Sequence, residues 1–164
     1  MIRISQATIT DIPLIQEIAH KTWPNTYGSI LSQEQLDYML DLMYSYASLL
    51  EQLKTKPLFF LAQEEDSFLG FTSCENNYLN NKVTRIHKIY ILPEAQGKGV
   101  GKALVDKVVA LAKENQSNII SLNVNKFNKA VSFYKKIGFE IASEEDLDIG
   151  NGFLMEDYKM ELKL

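Results

Sequence analysis

The chain has 164 residues, of which 46% are hydrophobic and 23% charged, and its formal net charge at pH 7 is −4. This length and composition predict one globular domain spanning residues 1–164, and the negative charge disfavours nonspecific binding to nucleic acid. The single cysteine, Cys74, excludes an internal disulfide bond and a cysteine-rich metal site, so we expect no metal ion. The sequence shows no signal-peptide pattern and no apolar run long enough for a membrane helix. We therefore expect a cytoplasmic protein.

The chain begins with a predicted strand and a predicted helix. Residues 2–7 alternate apolar and polar side chains, which is the period of a half-buried β-strand. Thr10 and Asp11 are residue types that cap helices, and they precede a helical pattern that runs to about Lys21. Residues 23–28 are rich in turn-forming residues, so we predict that the helix ends before them.

A second helical pattern follows this turn-rich segment. Ser32 and Gln35 have the spacing of a capping box, in which each residue hydrogen-bonds to the other's backbone. Apolar residues then recur at helical spacing up to about Lys54, with a break expected near residues 44–48.

The second half of the chain alternates strands with helices. The predicted elements are strands at 58–63, 68–78 and 83–92, a helix at 99–114, a strand at 119–124, a helix at 127–138, and strands at 139–143 and 153–162. A meander followed by strand–helix–strand units predicts a mixed α/β fold. We expect a central, mostly antiparallel sheet with one parallel crossover, flanked by about four helices.

The most informative motif is Gln-Gly-Lys-Gly-Val-Gly at residues 96–101, between a predicted strand and a predicted helix. Glycine lets a ligand approach the backbone, and a helix N-terminus offers unpaired N–H groups and partial positive charge. The motif lacks the Gly-Lys-Ser/Thr of a nucleoside triphosphate loop, which counts against ATP chemistry. It therefore predicts a phosphate-binding turn, and a turn that serves chain geometry alone is the alternative.

Two segments together resemble one known family. Residues 92–104 are similar to the acetyl-CoA-binding motif of the GCN5-related N-acetyltransferase (GNAT) superfamily, whose pattern is Arg/Gln-x-x-Gly-x-Gly/Ala. Residues 125–139 resemble its second conserved block. The order of elements agrees as well, so the resemblance covers nearly all of the chain. It implies a GNAT-like fold and transfer of the acetyl group of acetyl-CoA to a primary amine, by direct attack in a ternary complex.

The resemblance also implies how coenzyme A would be held. The glycine turn would bind its diphosphate, the end of the preceding strand would pair with the pantetheine arm, and the following helix would lie near the far end of the cofactor. The residues implied in cofactor binding are Ile91, Leu92, Gln96, Gly97, Lys98, Gly99, Val100, Gly101, Lys102, Asn128, Phe133 and Lys136.

The catalytic residues are less well defined by the sequence. Tyr134 stands where the family often places a group that hydrogen-bonds the thioester sulfur, although an aromatic residue that merely packs is the alternative. The family often has a glutamate where this chain has Arg85, and a guanidinium is not a base at neutral pH. His87, two residues along the same strand, is the better candidate base. Glu75 acting through a water molecule, or no side-chain base at all, stays open.

The acceptor is the least determined feature. The segments around Trp23 and residues 152–158 show a weaker resemblance to bacterial polyamine (spermidine/spermine) N-acetyltransferases. This implies a polyamine-like acceptor whose ammonium group pairs with Glu156 or Asp157. The candidate substrate-binding residues are Trp23, Tyr27, Glu75, Tyr90 and Asp157. A CoA-binding sensor without catalysis, or acetylation of a protein or peptide N-terminus, is the alternative function, and a homodimer is a further expectation from the family.

Overall fold

A computed structural model describes residues 1–55 and 57–164 of the chain. Its centre is a seven-stranded sheet with the strand order β1-β2-β3-β4-β5-β7-β6. The strands are β1 (Arg3–Gln6), β2 (Leu58–Glu64), β3 (Ser67–Glu75), β4 (Val83–Ile91), β5 (Ile119–Asn125), β6 (Glu140–Gly150) and β7 (Phe153–Lys163). Neighbouring strands run antiparallel except for β4 and β5, which are parallel. The predicted mixed sheet with one parallel crossover is confirmed.

Five α-helices flank the sheet in the described residues, where about four were predicted. They are α1 (Ile12–Tyr27), α2 (Gln33–Tyr44), α3 (Tyr46–Leu53), α4 (Val100–Glu114) and α5 (Ala130–Lys136). None of these helices is long and apolar enough to cross a membrane. The strand predicted at 139–143 is much longer in the structure, because β6 pairs with β7 as far as Gly150.

Helix α1 begins where predicted, with Asp11 at its N-cap position, but ends later than predicted. Thr8 and Asp11 form the capping box, in which the Thr8 N–H donates to Asp11 Oδ2 at 2.8 Å. The helix then continues through Pro24 to Tyr27, so the predicted turn at residues 23–28 is wrong. Trp23 and Tyr27 lie one turn apart, are 1% and 5% exposed, and have ring centroids 4.6 Å apart. Burial of these two large rings outweighs the local turn signals.

The predicted long second helix is two helices joined at Ser45. The Ser45 side chain accepts a hydrogen bond from the Ser48 N–H at 3.2 Å and caps α3. Ser32 caps α2 in the same way, by accepting the Gln35 N–H at 3.1 Å. The Gln35 side chain does not complete the box but donates to the Leu154 carbonyl at 3.1 Å, so it ties α2 to β7.

The core lies on both faces of the sheet. Phe59 and Leu61 belong to a cluster that packs against α1 and α2, whereas Phe60, between them in β2, belongs to a cluster with α4 and α5. Because successive side chains of a strand point to opposite faces, the two groups of helices cover opposite sides. The face toward α1, α2 and α3 carries the polar side chains described below.

The parallel pair β4–β5 separates after four residues. Residues 83–86 pair with 119–122, but β4 continues to Ile91 and β5 to Asn125 without pairing to each other. The register of β4 with β3 also skips His87, because Cys74 pairs with Ile86 and Ser73 with Lys88. Such a bulge increases the local twist of a strand. The resulting gap between residues 87–91 and 123–125 is called the β4–β5 cleft here.

Candidate active site

The turn between β4 and α4 has the geometry predicted for an anion site. Gly97 and Gly99 have φ angles of +81° and +82°, and a Cβ at either would meet nothing within 4 Å. The first backbone bond of α4 is donated by the Ala103 N–H to the Gly99 carbonyl at 3.0 Å. Within the described chain, the amides of residues 97–102 have no hydrogen-bond partner. These N–H groups and the α4 dipole together suit a diphosphate.

Gly101 serves close packing. A Cβ there would lie 3.1 Å from Phe133 Cζ and 3.2 Å from Ile91 Cδ1, so only glycine lets α4 approach both β4 and α5 this closely. The Lys102 ammonium group is paired with Asp106 at 2.7 Å, so we expect any cofactor contact of this residue to involve its backbone. Among the other residues predicted to bind the cofactor, Val100 is buried. The side chains of Gln96, Lys98 and Lys136 are exposed.

The edge of β4 supplies free backbone donors to the cleft. The Leu92 N–H donates to the Leu69 carbonyl at 2.8 Å and therefore faces β3. Because the amides of a strand alternate between its two edges, those of Ile89 and Ile91 face the cleft. The cleft thus presents strand-like donors with which an extended chain can pair.

The start of α5 closes the opposite side of the cleft. The Ala130 N–H donates to Asn128 Oδ1 at 2.8 Å, so Asn128 fixes the turn that leads into α5. Tyr134 on α5 is 6% exposed and packs against Phe133 and Phe139 at centroid distances of 5.4 and 5.7 Å. Burial raises the pKa of Tyr134 well above its ordinary value of 10. Its hydroxyl is therefore suited to donate a hydrogen bond and not to give up its proton.

An aromatic cluster forms the wall of the cleft toward α1. Tyr27 and Tyr90 share a hydrogen bond of 3.2 Å between their hydroxyl groups, and burial raises the pKa of both. Trp23 packs behind them, with ring centroids 4.6 Å from Tyr27 and 5.6 Å from Tyr90. Because Trp23 is 1% exposed, it borders the cleft through these two tyrosines and lines no open surface of its own.

A polar network joins β4 to β5 and β6 on the same face. The Arg85 guanidinium donates to Asn123 Oδ1 at 2.7 Å and to Ser121 Oγ at 3.3 Å. Asn123 in turn donates to Glu145 Oε2 at 3.1 Å. Arg85 also lies over the Tyr78 ring at 5.4 Å. This bridging role of Arg85 was not predicted, since a sequence does not show which β5 side chain faces it.

Asp157 is the buried carboxylate of this face. It is 6% exposed, and among the described residues its Oδ1 atom has no hydrogen-bond partner. Burial raises the pKa of Asp157 to about 6, although a hydrogen bond from Asn123 and the charge of Arg85 oppose the shift. The charge of Asp157 in turn adds to the rise in the pKa of Tyr27 that burial causes. A buried carboxylate with one oxygen unpartnered among the described residues is suited to receive a cation.

His87 lies in different surroundings. Its Nε2 atom is 3.0 Å from Glu75 Oε1, and its ring contacts Tyr78 edge-on at 5.5 Å. Burial is the main cause that lowers the pKa of His87 below 6.5, and the hydrogen bond to Glu75 opposes it. The charged and polar neighbours of Tyr27 include Asp157 and Tyr134, whereas His87, at the start of the cleft, is paired with Glu75.

Comparisons with known proteins agree with this geometry. Residues 29–162 match the family model of the acetyltransferase (GNAT) domain. The chain is 30% identical over 161 residues to a spermidine N(1)-acetyltransferase of Thermoplasma acidophilum, which covers 94% of this chain and 96% of that protein. An uncharacterized N-acetyltransferase of Methanocaldococcus jannaschii is 37% identical over 87 residues, which span 50% of this chain but only 38% of that relative.

The fold is similar to a solved enzyme of the same kind. The PaiA N-acetyltransferase from Thermoplasma acidophilum, in complex with coenzyme A, superposes with a TM-score of 0.84 at 27% identity, over 100% of this chain and 99% of that chain. The family model, the relative matched over its whole length and the cleft all agree with the resemblance seen in the sequence. The chain belongs to the GNAT family of acetyl-CoA-dependent acyltransferases.

Proposed function

We propose that this protein transfers the acetyl group of acetyl-CoA to a primary amine of a small molecule, by direct attack in a ternary complex. The observation that carries the proposal is the β4–β5 cleft. Among the residues that the structure describes, the amides of the glycine turn at one end of it are unpaired, and the buried carboxylate of Asp157 beside it has no partner on Oδ1. The first feature suits an anionic cofactor and the second a cationic acceptor.

The residues present fit coenzyme A. Backbone amides of residues 97–102 would bind the diphosphate, and the cleft-facing edge of β4 up to Ile91 and Leu92 would pair with the pantetheine arm. Asn128, Phe133 and Lys136 would border the remainder. Gly101 keeps α4, β4 and α5 in contact at this point, because a Cβ there would meet both Phe133 and Ile91. When bound, acetyl-CoA supplies an acetyl group activated as a thioester.

The side chains near the cleft can supply the remaining chemistry. An amine is nucleophilic only when neutral, so an acceptor that arrives as an ammonium ion must lose a proton. We assign that proton to Asp157, whose carboxylate would also attract the ammonium ion. The Ile91 N–H is positioned to stabilise negative charge that develops on the acetyl oxygen, and the Tyr134 hydroxyl to donate a hydrogen bond to the sulfur.

His87 is the second candidate base. Its lowered pKa would keep the imidazole neutral, and therefore basic, at pH 7. Its Nε2 atom is engaged by Glu75, however, whereas Asp157 Oδ1 has no partner among the described residues, and this supports Asp157. Glu75 is held by the same hydrogen bond and is a candidate only through His87 or a water molecule.

A polyamine-like molecule is the acceptor we propose. The similarity to a protein named a spermidine N(1)-acetyltransferase supports it, as does a second carboxylate near Asp157, that of Glu145, which lies directly opposite on β6. Glu156, the other candidate for the ammonium group, precedes Asp157 on β7 and therefore points to the opposite face of the sheet. Acetylation of a protein or peptide N-terminal amine is the alternative, and a sensor that binds CoA without turnover is a second one. The single domain, the cytoplasmic location and the homodimer stay predictions.

Two measurements test the proposal in sequence. Calorimetric titration with acetyl-CoA should show saturable binding, and a Gly99→Asp variant should lose it because a carboxylate would enter the anion site. Release of free thiol should then be followed with a panel of diamines, polyamines, amino acids and peptides. Failure to bind acetyl-CoA would remove the proposal altogether. Binding without turnover of any amine would favour the sensor instead.

A further inference from the structure

A second concave surface lies on the α3 side of the sheet, beside the connection between α3 and β2. It has a volume of about 620 Å³ and is bordered by Gln52, Thr55, Pro57, Ser73, Glu75, His87 and Lys88. This surface is called the Lys88 concavity here. It shares no residue with the glycine turn or with α5, so the cofactor site does not account for it.

The bulge in β4 is what places two basic side chains in this concavity. Consecutive residues of a regular strand point to opposite faces. Because His87 is the extra residue of the bulge, both His87 and Lys88 border the same concavity. Ser73 lies directly opposite Lys88 on β3, and its side chain borders the concavity as well.

Lys88 is buried, and none of the described residues supplies a counterion for it. It is 8% exposed, and its Nζ atom lies 5.7 Å from the centre of the Tyr44 ring. In the part of the chain that the structure describes, no carboxylate lies within 4 Å of Nζ. Burial lowers the pKa of Lys88 to about 8, and no acidic side chain opposes that shift. The side chain is therefore still mainly an ammonium ion at neutral pH, and a buried cation of this kind is costly unless a ligand or solvent compensates it.

The neighbouring groups leave a place for a negative ligand. The Glu75 carboxylate is held by His87 at 3.0 Å and does not reach Lys88. Gln52 donates to the Met43 carbonyl at 2.9 Å and to Ser48 Oγ at 3.0 Å, and Thr55 donates to the Gln52 carbonyl at 2.9 Å, so their hydrogens are occupied. Among the described side chains, the Lys88 ammonium and the Ser73 hydroxyl are the donors that stay available.

We propose that the Lys88 concavity binds a small carboxylate or phosphate group, with the Lys88 ammonium as its counterion and the Ser73 hydroxyl as a hydrogen-bond donor. The anionic group has two possible sources. It belongs either to the acceptor molecule itself or to a second small molecule that binds beside it. A simple polyamine carries no such group, so with a polyamine acceptor the source is the second molecule.

Binding of inorganic phosphate to the protein saturated with coenzyme A tests the site. Coenzyme A is present throughout so that phosphate cannot occupy the glycine turn, and ionic strength is held constant. The wild type should bind phosphate saturably in the millimolar range or below. Lys88→Met should weaken binding about tenfold or more, the expected size for loss of a charged hydrogen-bond partner. Lys88→Arg should keep most of it.

Lys107→Met is the matched control. Lys107 also holds its ammonium group over an aromatic ring, 5.3 Å from the centre of Phe60, but it lies outside the concavity. Phosphate binding should be unchanged in this variant. If the wild type binds no phosphate and shows no preference for anionic acceptors, or if Lys88→Met and Lys107→Met bind phosphate equally well, the proposal is overturned. If Lys88→Met does not fold, Lys88→Gln takes its place.

The source of the anion is decided by acceptor kinetics. Alkylamines are compared with ω-amino acids of matched chain length, which carry a carboxylate at the far end. A preference for the ω-amino acid that disappears in Lys88→Met assigns the anion to the acceptor. Phosphate binding without such a preference assigns it to a second molecule. This assay depends on amine acetylation, whereas the phosphate titration does not, so failure of the proposed function and failure of the site are distinguishable.

Discussion

The Arg85 guanidinium donates a hydrogen bond of 2.7 Å to Asn123 Oδ1 across the parallel pair β4–β5. The last paired residues of the two strands are Ile86 and Leu122, so this bond lies where the strands begin to separate. Arg85 therefore closes the base of the cleft and holds the position from which Asn123 reaches Glu145. Arg85 therefore acts as a structural bridge between β4, β5 and β6.

Loss of that bridge should affect both stability and cofactor binding. Arg85→Met leaves Asn123 Oδ1 without its donor, which should lower the free energy of unfolding by about 1 to 3 kcal/mol in urea titrations. The KM for acetyl-CoA should rise, because the base of the cleft loosens. Arg85→Lys keeps one charged donor, so its free energy of unfolding and its KM should lie between those of the wild type and of Arg85→Met. Equal stability of Arg85→Met and wild type would show that the bridge is not needed.

The pH dependence of catalysis should identify the base. A base acts only when deprotonated, and the pKa of Asp157 is raised from 3.8 to about 6, so kcat/KM should fall as the pH decreases through about 6. Asp157→Asn should remove this dependence and lower kcat/KM by roughly 10²- to 10⁴-fold. His87→Ala should retain it. The reverse result, with the dependence lost only in His87→Ala, would assign the base to His87.

Tyr134 should contribute to turnover more than to binding. Its raised pKa keeps the hydroxyl protonated, so the group can donate a hydrogen bond to a developing thiolate. Tyr134→Phe should reduce kcat by about tenfold or more while the KM for acetyl-CoA changes little, since the phenyl ring still packs between Phe133 and Phe139. Steady-state kinetics separate the two parameters. A raised KM at unchanged kcat would instead make Tyr134 a binding residue.

Substitutions of Gly99 and of Gly101 should impair cofactor binding for different reasons. Gly99→Ala imposes a side chain at φ +82° and should cost about 1 to 2 kcal/mol of stability. Gly101→Ala has an ordinary helical backbone, but its Cβ would press on Phe133 and Ile91. The KM for acetyl-CoA should rise in both. Gly152→Ala is the control, because Gly152 has φ +76° with nothing within 4 Å of its Cβ, in the β6–β7 turn. It should lose stability without a change in KM.

Lys88 should destabilise the folded protein in the absence of a ligand. Its pKa is about 8 in the fold against 10.5 in the unfolded chain, so the unfolded state binds more protons between these values and wild-type stability rises with pH there. Lys88→Met should therefore raise the free energy of unfolding below pH 8 by roughly 1 to 3 kcal/mol, partly offset by the lost contact with the Tyr44 ring. The difference should vanish toward pH 10.5. A destabilised Lys88→Met at pH 7 would contradict this account.

Local patterns predicted most of the elements and the glycine turn between β4 and α4. Gly97 and Gly99 were recognisable because positive φ angles and close backbone approach require glycine, and the structure shows both angles. The break between α2 and α3 was also predicted and is explained by the cap at Ser45. By contrast, the predicted end of α1 was wrong, because Trp23 and Tyr27 are buried in a core that distant segments of the chain form.

The surroundings of the residues proposed to meet the acceptor could not be predicted from local patterns. A bulge at His87 reverses which side chains of β4 share a face, and its position depends on pairing with β3. The partners of Arg85 and the burial of Asp157 likewise follow from the register of β5, β6 and β7. These relationships connect residues that are far apart in the chain, and no local spacing records them.

The sequence by itself determined the fold class, the glycine turn and the family, because each depends on short-range periodicity and on the conformational freedom of particular residues. Only the tertiary structure decided where the charges lie. It placed Asp157 beside the cleft and paired His87 with Glu75. Within residues 1–55 and 57–164, it left one oxygen of Asp157 without a partner and buried Lys88 without a counterion. The physical reason is that desolvation and ion pairing depend on distances across the sheet, which are set when the strands assemble.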